Sequence, residues 1–543
     1  MSDSRPFFHG WRARAHHLTR NRHFLLRTAA VIIALGMIAA CTIVLVRQQQ
    51  EESHGPGFTV SPALNLIHQE YHQLRHSQEP RPRQLAVWLR RVLAQLPKQV
   101  DSDESSEYAG FITSGNLIGY QVAELINQHA TTDAPAGLFQ DFLAAAIGAN
   151  EAAFEKIEAK AQAEPPPMLA AELYGSIQKR RSDSPAAMQA FFTEGRHFAD
   201  ATVAREEALR LAVTFRELDM LRRISTQPGW IENCHPLLQH HAGALLGDVW
   251  MQWRGLVHHR IHAIPYGMLA LAFFVAALWY FILVQHSDHA RWRWARPMPA
   301  LMAGVCSVWP TLTLLAYQEF QQGMTANAPF PHDLIYYLAG VGLREEGCKL
   351  LLFALFLPWL LWRRQPGLAL LTGAFVGLGF SLEENIGYYQ DYGCTIAWTR
   401  FLSANFLHIS LTGLCAHSLY RMLLTRFARA DEFIGTFLAA VAAHGAYDWL
   451  GTDVFDDNGW LSIIVLVLTV SRFIDQLALE TSPTRLTISP RAVFTFGSAT
   501  LIALSLVLGA WTTRSMEGVA NAGQECLAMI PIALLYWRKF ENV

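Results

Sequence analysis

Ionisable side chains cluster in four otherwise apolar stretches of the C-terminal half of the chain. Glu345, Glu346 and Lys349 fall in one of these stretches, and His444 and Asp448 fall in another. Because an ionised side chain is costly in apolar surroundings, residues of this kind default to a functional hypothesis. The complete set of candidate site residues is Glu345, Glu346, Lys349, Glu384, Asn385, His408, His444 and Asp448.

The two adjacent glutamates have the spacing of an acid–base group. Lys349 follows Glu345 by four residues and Glu346 by three, so in a helix its ammonium lies near both carboxylates and offsets their charge. A glutamate held in this way can accept a proton from water as a general base. We therefore expect Glu345 or Glu346 to activate a nucleophile.

The histidines complete a catalytic or metal-binding set. His444 and Asp448 are four residues apart, a spacing that lets the carboxylate orient the imidazole. His408 is a second imidazole, able to bind a metal or to stabilise an oxyanion. If a metal is present, the residue types favour His408, His444 and Glu384 as its ligands, and zinc suits such a set. The spacings assign no three clean ligands, which favours catalysis by a glutamate and leaves zinc open.

The elements that must position these residues are helices that cross a membrane. Of the 543 residues, 52% are hydrophobic and only 16% are charged, whereas soluble domains have about 25% charged residues. Apolar runs of about 20 residues have the length that crosses the hydrocarbon core of a bilayer. They predict an all-α, polytopic membrane protein with about ten transmembrane helices. The predicted spans are 28–46, 264–284, 298–317, 335–361, 368–389, 401–424, 433–450, 460–477, 493–511 and 520–537.

Arginine-rich loops alternate with loops that are nearly free of positive charge, which predicts that both termini are cytoplasmic. The predicted organisation is a basic cytoplasmic tail (1–27), a signal-anchor helix (28–46), an extracytoplasmic helical domain (47–262) and a membrane domain (263–543) with its core at 335–450. The formal net charge of −2 gives no basic field that would favour nucleic acid. The seven cysteines form no CxxC zinc pattern and no disulfide framework.

Two features of the N-terminal half have a second interpretation. Residues 38–41 fit a bacterial lipobox ending at Cys41, but the apolar run continues through Val46, which favours an uncleaved signal anchor. His68, His72 and His76 are spaced by four residues, so one helix face would carry three imidazoles that could bind a metal. A solvated polar face is the alternative for these histidines.

Four short motifs resemble those of the PrsW family of intramembrane proteases, relatives of the CAAX-protease and bacteriocin-immunity superfamily. Glu345-Glu346-Gly-Cys-Lys349 resembles the EExxK motif of that family. The other three motifs are Gly379–Asn385, similar to GFxxxEN with its acid at Glu384; Arg400, His408 and Thr412, similar to the RxxxxxxxH helix; and His444 to Asp448, similar to the HxxxD or HxxxN ending. The resemblance covers about 335–450. One departure is Ala416, where family members often have glycine.

The resemblance implies that a peptide bond is cleaved in or near the transmembrane helix of a single-pass protein, close to the extracytoplasmic face of a bacterial cytoplasmic membrane. It implies catalytic roles for Glu345, Glu346, His408 and His444, and an anti-sigma factor as the substrate class. Lys349, Glu384, Asn385 and Asp448 are then supporting residues. The expected partners are the substrate and the lipid bilayer, and no nucleic acid. A proton-coupled transporter and a catalytically inactive scaffold are the alternatives, because both also place ionisable residues between helices.

Overall fold

The computed structural model describes residues 14, 16–54, 70–71, 74, 82–95, 134–146, 150–262, 266–286, 294–452, 460–481 and 488–540. These residues form helices, turns and loops, and no strand occurs among them. The chain divides into two compact units. The membrane unit comprises Met1–Pro56 and Ala263–Val543, and the insert unit comprises Gly57–His262.

The membrane unit is built from long apolar helices. It begins with α1 (Arg22–His54), and the helices of the insert unit follow as α2 (Pro82–Gln95), α3 (Ala134–Ala146), α4 (Glu151–Ala161), α5 (Ala170–Arg180), α6 (Ser184–His197), α7 (Thr202–Thr214), α8 (Leu218–Ser225), α9 (Pro236–Leu246) and α10 (Val249–His262). The membrane unit resumes with α11 (Tyr266–Val284), α12 (Met298–Phe320), α13 (His332–Ile335), α14 (Arg344–Phe353), α15 (Leu357–Arg363), α16 (Pro366–Tyr392), α17 (Ala397–Leu402), α18 (Ala404–Leu424), α19 (Ala430–Leu450), α20 (Trp460–Glu480), α21 (Pro490–Thr513), α22 (Met516–Ala528) and α23 (Ile530–Lys539).

Among the described residues, six helices are long and apolar enough to cross a membrane: α1, α11, α12, α16, α20 and α21. The number is seven if α22 and α23, which meet at an angle of 41°, form one broken span. These helices confirm the prediction of an all-α membrane protein. The total of ten spans stays a prediction, as does the extracytoplasmic location of 47–262. The histidines His68, His72 and His76 lie outside the described residues.

Local sequence signals begin several of these helices. Ser489 precedes α21, and its side chain accepts a hydrogen bond from the backbone N–H of Ala492. Asn150 caps α4 in the same way. A short polar side chain at this position satisfies a backbone donor that the helix itself leaves without a partner. Cys41 lies inside α1, which continues through His54.

A buried charge network holds the insert unit together. Arg90 of α2 donates from Nε to Oε2 of Glu172 at 2.8 Å, and its Nη2 donates to Glu194. Both carboxylates are fully buried, and the guanidinium Nη1 lies 3.8 Å from Asp200 Oδ1. Burial raises the pKa of Glu172 to about 7, although the attraction of Arg90 opposes this shift. Burial also raises the pKa of Glu194.

This network predicts that the insert unit is less stable at higher pH. Since the pKa of Glu172 is higher in the folded chain than the ordinary value of 4.5 for a glutamate, its contribution to stability is fully present below about pH 4.5 and is lost as pH rises through about 7. The loss is at most about 3 kcal/mol. We expect Glu172→Gln to raise the unfolding temperature of the insert unit near pH 8. The difference between the unfolding temperatures at pH 5 and pH 8 should therefore become smaller, measured by thermal unfolding of the whole protein. Glu164→Gln, at an exposed glutamate of the same unit, is the control and should leave the pH dependence unchanged.

Candidate functional site

Four helices of the membrane unit bring the eight candidate residues together. Helix α14 carries Glu345, Glu346 and Lys349, α16 carries Glu384 and Asn385, α18 carries His408, and α19 carries His444 and Asp448. Six of them are buried, and Glu384 and Asp448 are half-buried. The structure therefore places on one site all the residues that the sequence singled out.

The backbone around α14 lets the helices approach closely. Residues Tyr336–Leu343, directly before α14, form a π-helix. Such widened turns are rare and occur often at functional sites. Gly445, next to His444, packs against this segment, and a Cβ at that position would overlap the carbonyl oxygen of Tyr337. The close contact keeps His444 within reach of the two glutamates of α14.

Glu346 is a fully engaged carboxylate. Its Oε1 lies 2.7 Å from Lys349 Nζ and 2.9 Å from His444 Nδ1, and its Oε2 accepts a hydrogen bond of 3.2 Å from Thr412 Oγ1. Three helices thus donate to one side chain that is itself fully buried. The bonds suit a group that holds its neighbours in place.

Glu345 differs from Glu346 in its surroundings. Its Oε2 is buried and has no hydrogen-bond partner among the described residues. The same oxygen lies 3.5 Å from His444 Nε2 and 3.7 Å from Lys349 Nζ, beyond good hydrogen-bond contact. A buried polar atom without a partner is costly, so it calls for an explanation such as a water or an ion. Glu345 is therefore the glutamate that can contact a reacting water or a metal.

The contacts orient both imidazoles and fix the proton position on His408. An ammonium only donates hydrogen bonds, so Lys349 Nζ donates to His408 Nδ1 at 2.8 Å and the proton of the neutral His408 ring is on Nε2. That nitrogen faces Glu384 Oε2 at 3.0 Å. In His444 the two nitrogens have the opposite neighbours, because Nδ1 lies 2.9 Å from Glu346 Oε1 and Nε2 faces Glu345 Oε2 at 3.5 Å and Asp448 Oδ2 at 3.6 Å. Each imidazole is therefore oriented by its own carboxylate.

A buried arginine neutralises Glu384. Arg400 Nη2 donates to Glu384 Oε2 at 2.6 Å, and its Nε donates to Asn385. The guanidinium carbon also lies 3.6 Å from the centre of the Tyr388 ring. Asn385 in turn donates to Asn405 Oδ1 at 3.0 Å. These contacts form a rigid support behind His408 rather than a second reactive centre.

The donor set fits a metal ion. The ligand atoms of Glu345, His408 and His444 all lie within 4.8 Å of one another. Two imidazoles and one carboxylate are a ligand set of catalytic zinc sites. The ionisable groups linked by these contacts include four acids and three bases besides the two imidazoles. The acids are Glu345, Glu346, Glu384 and Asp448, and the bases are Arg344, Lys349 and Arg400.

Two details of the site differ from the sequence-based expectations. The third member of the metal-compatible group is Glu345 rather than Glu384, because Arg400 and His408 already occupy the nearer oxygen of Glu384. The close partner of His444 is Glu346 at 2.9 Å, whereas Asp448 Oδ2 lies 3.6 Å from His444 Nε2. Spacing along one helix could not reveal a carboxylate that approaches from another helix.

The sequence reasoning missed two polar residues of the site. Arg344 is buried, donates from Nη1 to Gln318 Oε1 at 2.7 Å and lies 3.8 Å from Glu345 Oε1. Asn405 is fully buried behind Asn385. Each had a usable signal: Arg344 is a charge in an apolar stretch beside the glutamate pair, and Asn405 lies three residues before His408.

The geometry can be compared with known families. Residues 290–474 match the model of the PrsW family of intramembrane metalloproteases. The matched segment is about a third of the chain and includes all eight candidate residues. This segment is therefore similar to intramembrane metalloproteases of the PrsW family, while the wider CAAX-protease relationship stays a prediction. No curated protein and no solved structure showed significant similarity to the chain.

The packing of α16 on α18 gives a first prediction for this PrsW-matching segment. A Cβ at Gly377 would overlap the carbonyl oxygen of His408, so Gly377→Ala must displace the backbone that carries this imidazole. A misplacement of about 1 Å can cost about 100-fold in rate. We expect at least a tenfold loss of cleavage in a protein that still folds, measured with a purified transmembrane substrate. Gly435→Ala, where a Cβ meets open space, is the control and should retain the wild-type rate.

Proposed function

We propose that the protein is an endopeptidase that hydrolyses a peptide bond of a single-pass membrane protein near the extracytoplasmic face of a bacterial cytoplasmic membrane. The observation that carries the proposal is the enclosed group of Glu345, His408 and His444, in which a carboxylate oxygen without a hydrogen-bond partner faces Nε2 of His444 at 3.5 Å. The match to a protease family over 290–474 gives this geometry its reaction class.

We further propose that Glu345, His408 and His444 hold a zinc ion. Zinc bound there would supply Lewis-acid polarisation of the scissile carbonyl and make a bound water more nucleophilic. Within the protein, Glu346 lies 2.9 Å from Nδ1 of His444 and orients the ring, so that Nε2 faces Glu345 and is the atom that would bind the metal. Glu384, neutralised by Arg400, holds Nε2 of His408 and leaves Nδ1 as the atom able to bind, once Lys349 turns away.

The unpartnered oxygen of Glu345 also favours a second mechanism, in which this carboxylate takes the proton of the attacking water directly. Both mechanisms need the same two oriented imidazoles. They differ in whether activity depends on a metal, a question that metal analysis of the purified protein can answer.

The resemblance suggests an anti-sigma factor as the substrate class. The insert unit is a large helical body with its own core, and we propose that it selects or admits substrates. The decisive experiment compares the membrane proteins of cells that express the wild type or the Glu345→Gln, Glu346→Gln double variant, with chemical labelling of new N-termini. A single-pass protein truncated only with the wild type supports the proposal. Identical N-termini in both strains, with solute flux that depends on the site, would favour the transporter.

A further inference from the structure

A groove lies between the ends of three membrane-unit helices, apart from the protease site. It is formed by residues at the start of α12, in α15 and at the start of α16, and it contains about 580 Å³ when its open mouth is included. Thr372, which lines it, precedes Glu384 by twelve residues on α16, a distance of about 18 Å along the helix axis. None of the eight candidate site residues lines the groove.

One end of the groove is cationic. Arg296, just before α12, and Arg363, the last residue of α15, both line it and are exposed. Helices α12 and α16 begin here, at Met298 and Pro366. The partial positive charge of these two N-terminal ends is opposed by the C-terminal end of α15 at Arg363, so the positive charge at this end comes from the two guanidiniums. This end therefore favours an anion.

The rest of the groove is apolar and extends along the helices. Leu368, Leu371 and Phe375 follow one another along α16, and the seven helical steps from the first to the last cover about 10 Å. Ala300 of α12 and Phe356, next to α15, complete the wall. Trp359, with 40% of its surface exposed, lines the groove as well, and tryptophan is typical of the boundary between hydrocarbon and headgroups.

We propose that this groove binds an anionic phospholipid, with its phosphate between Arg296 and Arg363 and the start of an acyl chain against Trp359 and Leu368, above the buried Leu371 and Phe375. Basic pockets between membrane helices are known to hold acidic lipid headgroups. A free phosphate would leave the apolar wall uncovered, and a zwitterionic lipid would bring a second cation towards the two guanidiniums. An anionic lipid complements both ends of the groove, independently of the protease assignment.

The test uses the full chain in nanodiscs of phosphatidylcholine with a minority of phosphatidylglycerol, followed by native mass spectrometry of the released protein. The wild type should retain phosphatidylglycerol in preference to phosphatidylcholine. The Arg296→Gln, Arg363→Gln double variant should retain roughly tenfold less, since each basic residue near an anionic headgroup contributes to its attraction. The control replaces Arg426 and Arg538 with glutamine, two exposed arginines that do not line the groove, and should match the wild type.

A third variant tests the apolar part of the site. Ala300→Phe fills the groove and keeps both arginines, so it should also lose the retained lipid. Equal losses of phosphatidylglycerol in the Arg296→Gln, Arg363→Gln variant and in the control variant would overturn the proposal. They would indicate that the lipid is attracted to the positive surface as a whole. Displacement of the lipid by millimolar inorganic phosphate would overturn it as well, since the site would then be one for phosphate. Equal retention of phosphatidylcholine and phosphatidylglycerol would exclude a preference for anionic lipid.

Discussion

The Glu345→Gln, Glu346→Gln double variant should lose peptide-bond cleavage by at least about 1000-fold while remaining folded in the membrane. Glutamine keeps the size of each side chain but removes the carboxylate that accepts a proton or binds a cation. Both residues are buried among groups on α18 and α19, so no other described residue can take their place without rearrangement. The measurement is the rate at which purified protein cleaves a transmembrane substrate.

The two single variants should fail for different reasons. Glu345→Gln removes the only carboxylate of the metal-compatible group and should abolish the reaction itself. In the wild type, Lys349, His444 and Thr412 all donate to the carboxylate of Glu346. Glu346→Gln replaces this carboxylate with an amide and should disturb the orientation of His444. Glu383→Gln is the matched control, because it removes a buried carboxylate next to Glu384 that is not a member of the metal-compatible group. A double variant that cleaves at the wild-type rate would refute the catalytic assignment of the pair.

The cost of charge in apolar stretches was enough to predict eight residues of this site. Lys349 lies one turn from both glutamates, and a helix dictates that contact whatever surrounds it. His408 and His444 were predicted as one catalytic or metal-binding set, and their ring centres lie 5.1 Å apart. The partner of each imidazole was beyond prediction. Glu346 and His444 are 98 positions apart, and their contact depends on how closely two helices pack.

The fold shows the same division between local and long-range information. The length of apolar runs predicts helices such as α16 and α21, because the bilayer sets the required length. The π-helix Tyr336–Leu343, which packs against α19, has no comparable signal in the length of an apolar run. In the insert unit, Arg90 reaches glutamates 82 and 104 positions away. Such pairings follow from tertiary structure and leave no periodicity in the sequence.

The second large effect concerns the metal. We expect the purified wild type to retain about one zinc ion per chain and to lose cleavage on treatment with a strong chelator. Removal of one of the three ligands, in Glu345→Gln, His408→Ala or His444→Ala, should lower zinc affinity beyond the roughly 10- to 100-fold typical of a lost outer hydrogen bond. The measurements are elemental analysis of the purified variants and competition with a chelator of known affinity. Both report on the metal without relying on activity.

Glu384→Gln distinguishes two possible ligand sets, in which the two histidines are joined by either Glu345 or Glu384. If Glu384 were a ligand, Glu384→Gln would lower zinc affinity as much as Glu345→Gln does. In the structure its near oxygen is 2.6 Å from Arg400 and 3.0 Å from His408 Nε2, so it can orient the imidazole but has little charge left for a cation. We therefore expect a loss of about 10- to 100-fold in zinc affinity, clearly smaller than that of Glu345→Gln. Equal losses in the two variants would restore Glu384 as a ligand. A wild-type protein that holds no metal and stays active with the chelator would leave Glu345 as a general base. In that case Glu345→Gln should still be inactive, and no variant should change the metal content.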